Sequence, residues 1–184
     1  ATDPDMVLKY FAGLDERRVF RFGFEVNEVP LHYAADPVQV KLRQGNALAS
    51  ILFEDANTLA LRSNVALRLE SDEVSYSIPV RENQIRIIGK NRFDRFILTV
   101  RKGTLLFAQN EGDTTIVIQP ADGVAEAFLE AYTSEWKPRT YERSFREIEE
   151  ARRAGFASFL EASPEVPEAH QKGRDLALYI NWSS

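Results

Sequence analysis

Gln84-Ile-Arg-Ile-Ile88, Arg95-Phe-Ile-Leu-Thr-Val100, Thr104-Leu-Leu-Phe107 and Thr114-Thr-Ile-Val-Ile118 follow one another with only short polar breaks between them. Each is too short for a helix of ordinary length and rich in β-branched and aromatic residues. The breaks are turn chemistry: Gly89-Lys90-Asn91, Lys102-Gly103 and Asn110-Glu111-Gly112-Asp113. Lys102-Gly103 reads as the clearest tight hairpin of the chain. Working outward, the same texture extends toward the N-terminus. Arg18–Val26 alternates with Phe20, Phe22 and Phe24 on one face, and Val38–Leu42 alternates likewise. Leu48–Phe53 is a short apolar run, Thr58–Arg62 and Val65–Leu69 read as a pair joined by Ser63-Asn64, and Val74–Ile78 follows. Residues 5–14 fit a short helix or an entry strand. About ten short strands with no helix between them predict an antiparallel β-sandwich or barrel and not a βαβ sheet. Phe20, Phe22, Phe24, Phe53, Phe96 and Phe107 are its expected core.

The texture changes after Pro120. Gly123–Trp136 reads as a helix on propensity, or else as a final strand and a turn. Lys137–Thr140 is a linker, with Thr140 a candidate cap for the helix that follows. That helix carries Phe145, Ile148, Phe156, Phe159 and Leu160 on one face and Arg143, Arg146, Glu147, Glu149 and Glu150 on the other. Pro164 and Pro167 end it, and a last helix starts at Glu168 or Ala169. Leu176, Ala177 and Ile180 fall on one side of it, with Tyr179 at the edge. No cap or polar tail follows, so this helix is expected to seek a partner outside the 184 residues. The expected organisation is mainly β with a C-terminal α segment. A sandwich covers 1–120, a junction and linker helix cover 121–168, and 169–184 is the first helix of a following domain. Ala1 in place of an initiator methionine agrees with a longer parent chain.

Composition removes several function classes. A chain of this length can bury roughly two-thirds of its unfolded surface. Net charge is −5, and residues 121–184 hold 12 acids against 8 bases, so most of the acidity lies in the helical part. Such a balance argues against a nucleic-acid partner. Zero cysteines exclude disulfides, thiolate nucleophiles and Cys-zinc sites. His32 and His170 are far apart in sequence, which argues against a His-based metal site, and no cofactor motif is present. No run approaches the ~18 apolar residues of a membrane span. The compartment is left open between cytoplasmic and exported.

Candidate chemistry is thin. Asp94, in Lys90–Arg95, and the pair Glu54-Asp55 are carboxylates worth weighing for acid–base work, but both read more simply as charged turns. Glu147, Glu149 and Glu150 read as a solvated face with arginines at helical spacing. Asn181-Trp182-Ser183 matches a glycosylation acceptor pattern by chance, on a helix. The aromatics Tyr132, Trp136 and Tyr141 cluster at the junction of the β and helical parts. They are the candidate substrate-binding residues, since a flat apolar ring with a polar tip can stack on a sugar. The simpler reading is that they pack the junction.

Tyr141-Glu-Arg-Ser-Phe145, Ala154-Gly-Phe-Ala-Ser-Phe159, Pro164-Glu-Val-Pro167 and Leu176–Ser184 with its Trp182-Ser183 pair together resemble a known junction. It is the junction between N-terminal β-sandwich and barrel in the (α/α)6-barrel, or six-hairpin, glycoside hydrolases of the processing α-glucosidase and glycogen-debranching type. The resemblance implies a non-catalytic N-terminal domain of an enzyme acting on α-linked sugars. It also implies catalytic carboxylates beyond Ser184, in the barrel that would be this chain's partner. Two other readings remain: a free-standing carbohydrate-binding β-sandwich, with Trp136 and Tyr141 as binding aromatics, and a protein-assembly module using the last helix.

Overall fold

The computed structural model describes residues 20–24, 30–91, 94–110 and 113–183. Among the described residues, two antiparallel sheets carry twelve strands between them. In chain order these are β1 (Arg21–Phe24), β2 (His32–Ala35), β3 (Gln39–Gln44), β4 (Ala47–Asp55), β5 (Thr58–Ser63) and β6 (Leu67–Ser71). Then come β7 (Val74–Arg81), β8 (Gln84–Gly89), β9 (Arg95–Lys102), β10 (Thr104–Asn110), β11 (Asp113–Gln119) and β12 (Ala125–Ala131). A four-stranded sheet runs β1-β6-β11-β10, and an eight-stranded sheet runs β2-β3-β4-β5-β12-β9-β8-β7. Helices α1 (Phe145–Glu161) and α2 (Gln171–Ser183) follow, the latter entered through a 3-10 turn at Glu168–His170. The expected class, mainly β with a C-terminal α segment, is the observed one. The reading of residues 5–14 falls outside the described residues.

Alternation decides which residues meet between the sheets. Leu42, Ala49, Ile51, Leu59, Leu61, Ile85, Ile87, Phe96, Leu98 and Val100 of the large sheet bury against Phe20, Phe22, Leu67, Leu69, Ile116 and Ile118 of the small one. Phe20 meets Phe96 edge to face at 5.1 Å. Phe24 and Phe107 pack on the margin of this core. Phe53 does not join it: it stands where the β4–β5 register shifts and is 38% exposed. Gln109 of β10 closes one side of the sandwich. Its side-chain amide accepts from Ser77 N at 3.1 Å and donates to Ser75 O at 3.2 Å, standing in for a strand partner along the edge of β7.

Two expected hairpins are instead crossovers between sheets. β5 and β6 lie in different sheets, as do β9 and β10. A tight turn fixes a change of direction but not whether the next strand pairs beside its predecessor or folds over it. Asn64 secures the first crossover, bonding Leu48 N at 2.7 Å and Asn46 O at 2.9 Å through its side chain. At the second, Gly103 has φ +112°, and a Cβ there would lie 2.3 Å from the Gln119 carbonyl oxygen. Only glycine fits that corner.

Within Gly123–Trp136 the strand reading holds for β12, against helix propensity. Ala125, Ala127 and Leu129 face the core, while Glu126, Phe128 and Glu130 face outward. Pairing to β5 on one side and β9 on the other satisfies both backbone edges, so tertiary context overrides the local preference of an Ala/Glu-rich segment. The strand-rich part therefore extends to Ala131.

α1 is capped by Ser144 and not by Thr140. Ser144 Oγ accepts from Glu147 N, and Glu147 accepts from Ser144 N at 2.7 Å, a reciprocal capping box. Its apolar stripe is divided. Phe145 and Ile148 bury against the large sheet, whereas Phe156 meets Trp182 of α2 with ring centroids 5.1 Å apart. Gly155 lies under the indole, where an added Cβ would come within 3.8 Å. Arg174 of α2 ties off the end of α1, donating to Leu160 O, Ser163 O and Pro164 O at 2.8, 3.0 and 2.8 Å. No described helix is long and apolar enough to cross a membrane.

Candidate functional site

The segment after β12 runs back over the outer face of the large sheet and separates the three candidate aromatics. Tyr141 goes one way. Its ring stacks on Phe128 at 4.0 Å and 5°, and its hydroxyl donates to Glu130 at 2.9 Å. Burial, with the Glu130 carboxylate beside it, pushes the phenol's pKa up, so the hydroxyl stays a donor. Arg139 lies over the other side of the ring, 4.5 Å from its centroid.

Arg139 is the hub of this region. It donates to Thr58 Oγ1 at 2.7 Å, Asp55 at 2.9 Å and Glu54 at 3.2 Å. Arg143 takes the other Glu54 oxygen at 2.8 Å. Burial works against charge on Asp55, but bonds from Asn57 N–H and Arg139 outweigh it and hold its carboxyl below the usual range. Glu54-Asp55 is thus more than a solvated turn: it anchors the linker. Phe128, Tyr141, Ile148 and the arginines border a cavity of about 390 Å³ there. Glu54 there is committed to Arg139 and Arg143, and beside the cavity Asp55 is committed to Arg139 and Glu130 to the Tyr141 phenol. Such an arrangement holds a segment in place.

Beside it, Glu126 of β12 is 7% exposed and sits between Arg62 of β5 and Arg101 of β9, at 3.6 and 2.9 Å. Its carboxylate also faces Phe145 N, the first amide of α1, at 3.5 Å. A carboxylate at a helix N-terminus is favourably placed for the unpaired amides there. On the far flank Arg153 reaches Asp36 at 2.7 Å and Glu149 at 2.9 Å. Burial opposes charge on Asp36, yet Arg153 and the Val38 and Gln39 amides outweigh it and hold its pKa down. Glu149 also accepts from Gln39, so it belongs to this contact and not to a solvated face.

Tyr132 and Trp136 go the other way, together. They lie over β7, β8 and β9, against Tyr76, Arg86 and Arg95, in a groove of about 410 Å³. The Arg86 guanidinium stands 6.0 Å from the Trp136 ring centroid. Arg95 donates to Ser134 O at 3.3 Å. The structure therefore unites two of the three expected aromatics and places the third under α1. Tyr76, Arg86 and Arg95 carried no signal as a group. Their meeting follows from the β7-β8-β9 register, which sets Tyr76 opposite Ile88 and Ile88 opposite Arg95.

Asp94 is buried in the β8–β9 turn, its carbonyl accepting from Gly89 N at 2.7 Å, and a Cβ on Gly89 would come 2.3 Å from Asp94 Cβ. It shapes a turn, as the simpler reading had it. His32 in β2 and His170 are exposed. Among the described residues no group of three His, Cys, Asp or Glu is placed to hold a metal.

No protein-family model and no curated protein matches this sequence. The fold does have a solved likeness: a protein from the human microbiome, provisionally assigned as a kojibiose phosphorylase, superposes with a TM-score of 0.52 at 10% identity. The match covers 87% of this chain and 30% of that one. At that identity the likeness concerns the fold alone. A sandwich followed by helices, as built here, thus occurs as one part of a larger protein assigned to act on a sugar.

Proposed function

We propose that this chain is the N-terminal sandwich and helical connector of an enzyme acting on α-linked sugars, and that it does no chemistry itself. The supporting observation is the fold likeness to under a third of a sugar phosphorylase, over nearly all of this chain. The junction motifs around Tyr141–Phe145 and Trp182-Ser183 point the same way. In this reading the sandwich is a platform. The Arg139, Glu126 and Arg153 contacts fix α1 on it, and Arg174 fixes α2 on α1. α2 is then the first helix of a following helical barrel, which is the chain's partner. Leu176, 61% exposed, is on the surface that this barrel would cover.

The test has two arms. The gene is sequenced past the codon for Ser184, and the isolated chain is assayed with α-linked disaccharides, with and without phosphate. The expected result is several hundred residues of helical-period sequence in frame and no turnover by the isolated chain. A stop codon directly after Ser184, or clear turnover by these residues alone, contradicts the reading.

A further inference from the structure

The groove beneath Trp136 contains a local mismatch. The Trp136 indole nitrogen and the Arg86 Nε are both buried, and neither has a hydrogen-bond partner among the described residues. Both are obligate donors. Buried donors normally have an acceptor, and two without one beside the same half-open groove make its floor donor-rich. The charge is also out of keeping with the molecule. On a protein of net charge −5, this groove is bordered by two guanidiniums, Arg86 and Arg95, and by one carboxylate, Glu135. Its walls are aromatic: Tyr76, Tyr132 and Trp136. Tyr76 is 49% exposed, leaving its ring open to a ligand.

We propose that this groove binds a sugar ring carrying an anionic group, a carboxylate or a phosphate. The aromatic walls suit the flat C–H face of a pyranose. Glu135 accepts from ring hydroxyls, which excludes a purely apolar ligand. The anionic group lies toward the guanidiniums of Arg86 and Arg95. The sugar component rests on the proposed function above; the anionic component rests on the groove alone. This would be a binding site apart from any catalytic centre, on the half of the sheet that α1 leaves open.

The two tryptophans of the chain, Trp136 and Trp182, give two indole N–H signals in a ¹H–¹⁵N spectrum, and Trp182→Phe assigns them. The 184-residue chain is titrated in parallel with glucuronic acid, glucose 6-phosphate, glucose and inorganic phosphate. The expected result is a saturable shift of the Trp136 signal with one or both charged sugars, at least tenfold tighter than with glucose or inorganic phosphate. The Trp182 signal stays still. Which charged sugar is favoured identifies the anionic group. Arg86→Gln and Arg95→Gln should each weaken the binding about tenfold while leaving the Trp182 signal in place as a check on folding. Glucose binding as well as the charged sugars, inorganic phosphate alone reproducing the shift, or no shift with any of the four overturns the proposal. Because the readout is binding, its failure is separate from failure of the enzyme reading, which is scored by reading frame and turnover.

Discussion

The outer face of the eight-stranded sheet has two halves that were built differently. Over β4, β5 and β12, Leu52, Ala60 and Phe128 form an apolar floor, and α1 closes it with Phe145 and Ile148. Charged pairs stand around the rim and in the seam: Arg139 with Glu54 and Asp55, Arg101 with Glu126, Arg153 with Asp36. Over β7, β8 and β9 the same face is covered, among the described residues, by the segment around Trp136, and Tyr76 and Ile78 are about half exposed. One half is a docked interface inside the chain. The other is a surface where two buried donors, on Arg86 and Trp136, have no acceptor among the described residues. A single sheet thus serves as scaffold and as open groove, and the sequence of the segment crossing it decides where one ends.

The largest effect should come from the floor of the covered half. Phe128→Ala removes a ring that is 1% exposed and stacked on Tyr141, and should cost about 3–5 kcal/mol. Urea unfolding measures it; a loss under about 1 kcal/mol would mean that α1 is not packed on the sheet. Next is Glu126→Gln, which leaves Arg62 and Arg101 without their shared carboxylate and weakens the contact to the first amide of α1. A loss of about 1–3 kcal/mol is expected, with α1 amides exchanging faster. A smaller effect follows from acid. Asp36 and Asp55 are held below the ordinary 3.8, so their contribution is present above that value and fades as pH falls through the lower folded-state values. Urea midpoints should therefore drop from about pH 4 downward, and Asp36→Asn should flatten that slope; an unchanged slope would remove Arg153–Asp36 from the account. The smallest change belongs to the open half. Ile78→Thr, at a residue 48% exposed, should alter stability by less than about 0.5 kcal/mol. A large loss there would mean that the two halves are not different after all.

Most strand positions were legible because period-two patterning and turn residues are local signals. β3 to β11 lie within a few residues of where alternation puts them. What the sequence could not carry was pairing. Lys102-Gly103 and Ser63-Asn64 look like hairpin turns, and both lead across the sandwich instead, because their strands' partners come from residues far along the chain. β2 is short and mostly exposed, so His32–Ala35 shows little apolar pattern. β12 is hidden by composition: Ala and Glu favour helix, and only two neighbouring strands make Ala125–Ala131 extended. For the site, Tyr132 and Trp136 were legible as a local aromatic pair. Arg86 was not, although its place between Ile85 and Ile87 marks it as facing away from the core. Glu54-Asp55 looked like any acidic turn until Arg139, some eighty residues later, arrived on it.

The central claim is that the sandwich holds its C-terminal helical segment rigidly, as a platform would. Native-state amide hydrogen exchange of the isolated chain tests this most directly. The prediction is that amides of Phe145–Glu161 open together with those of β5 and β12, as one slow unit, while the β7 edge exchanges sooner. If the α1 amides exchange at the fast rates of a free helix while β5 and β12 stay protected, the connector is a tether and the platform account is wrong.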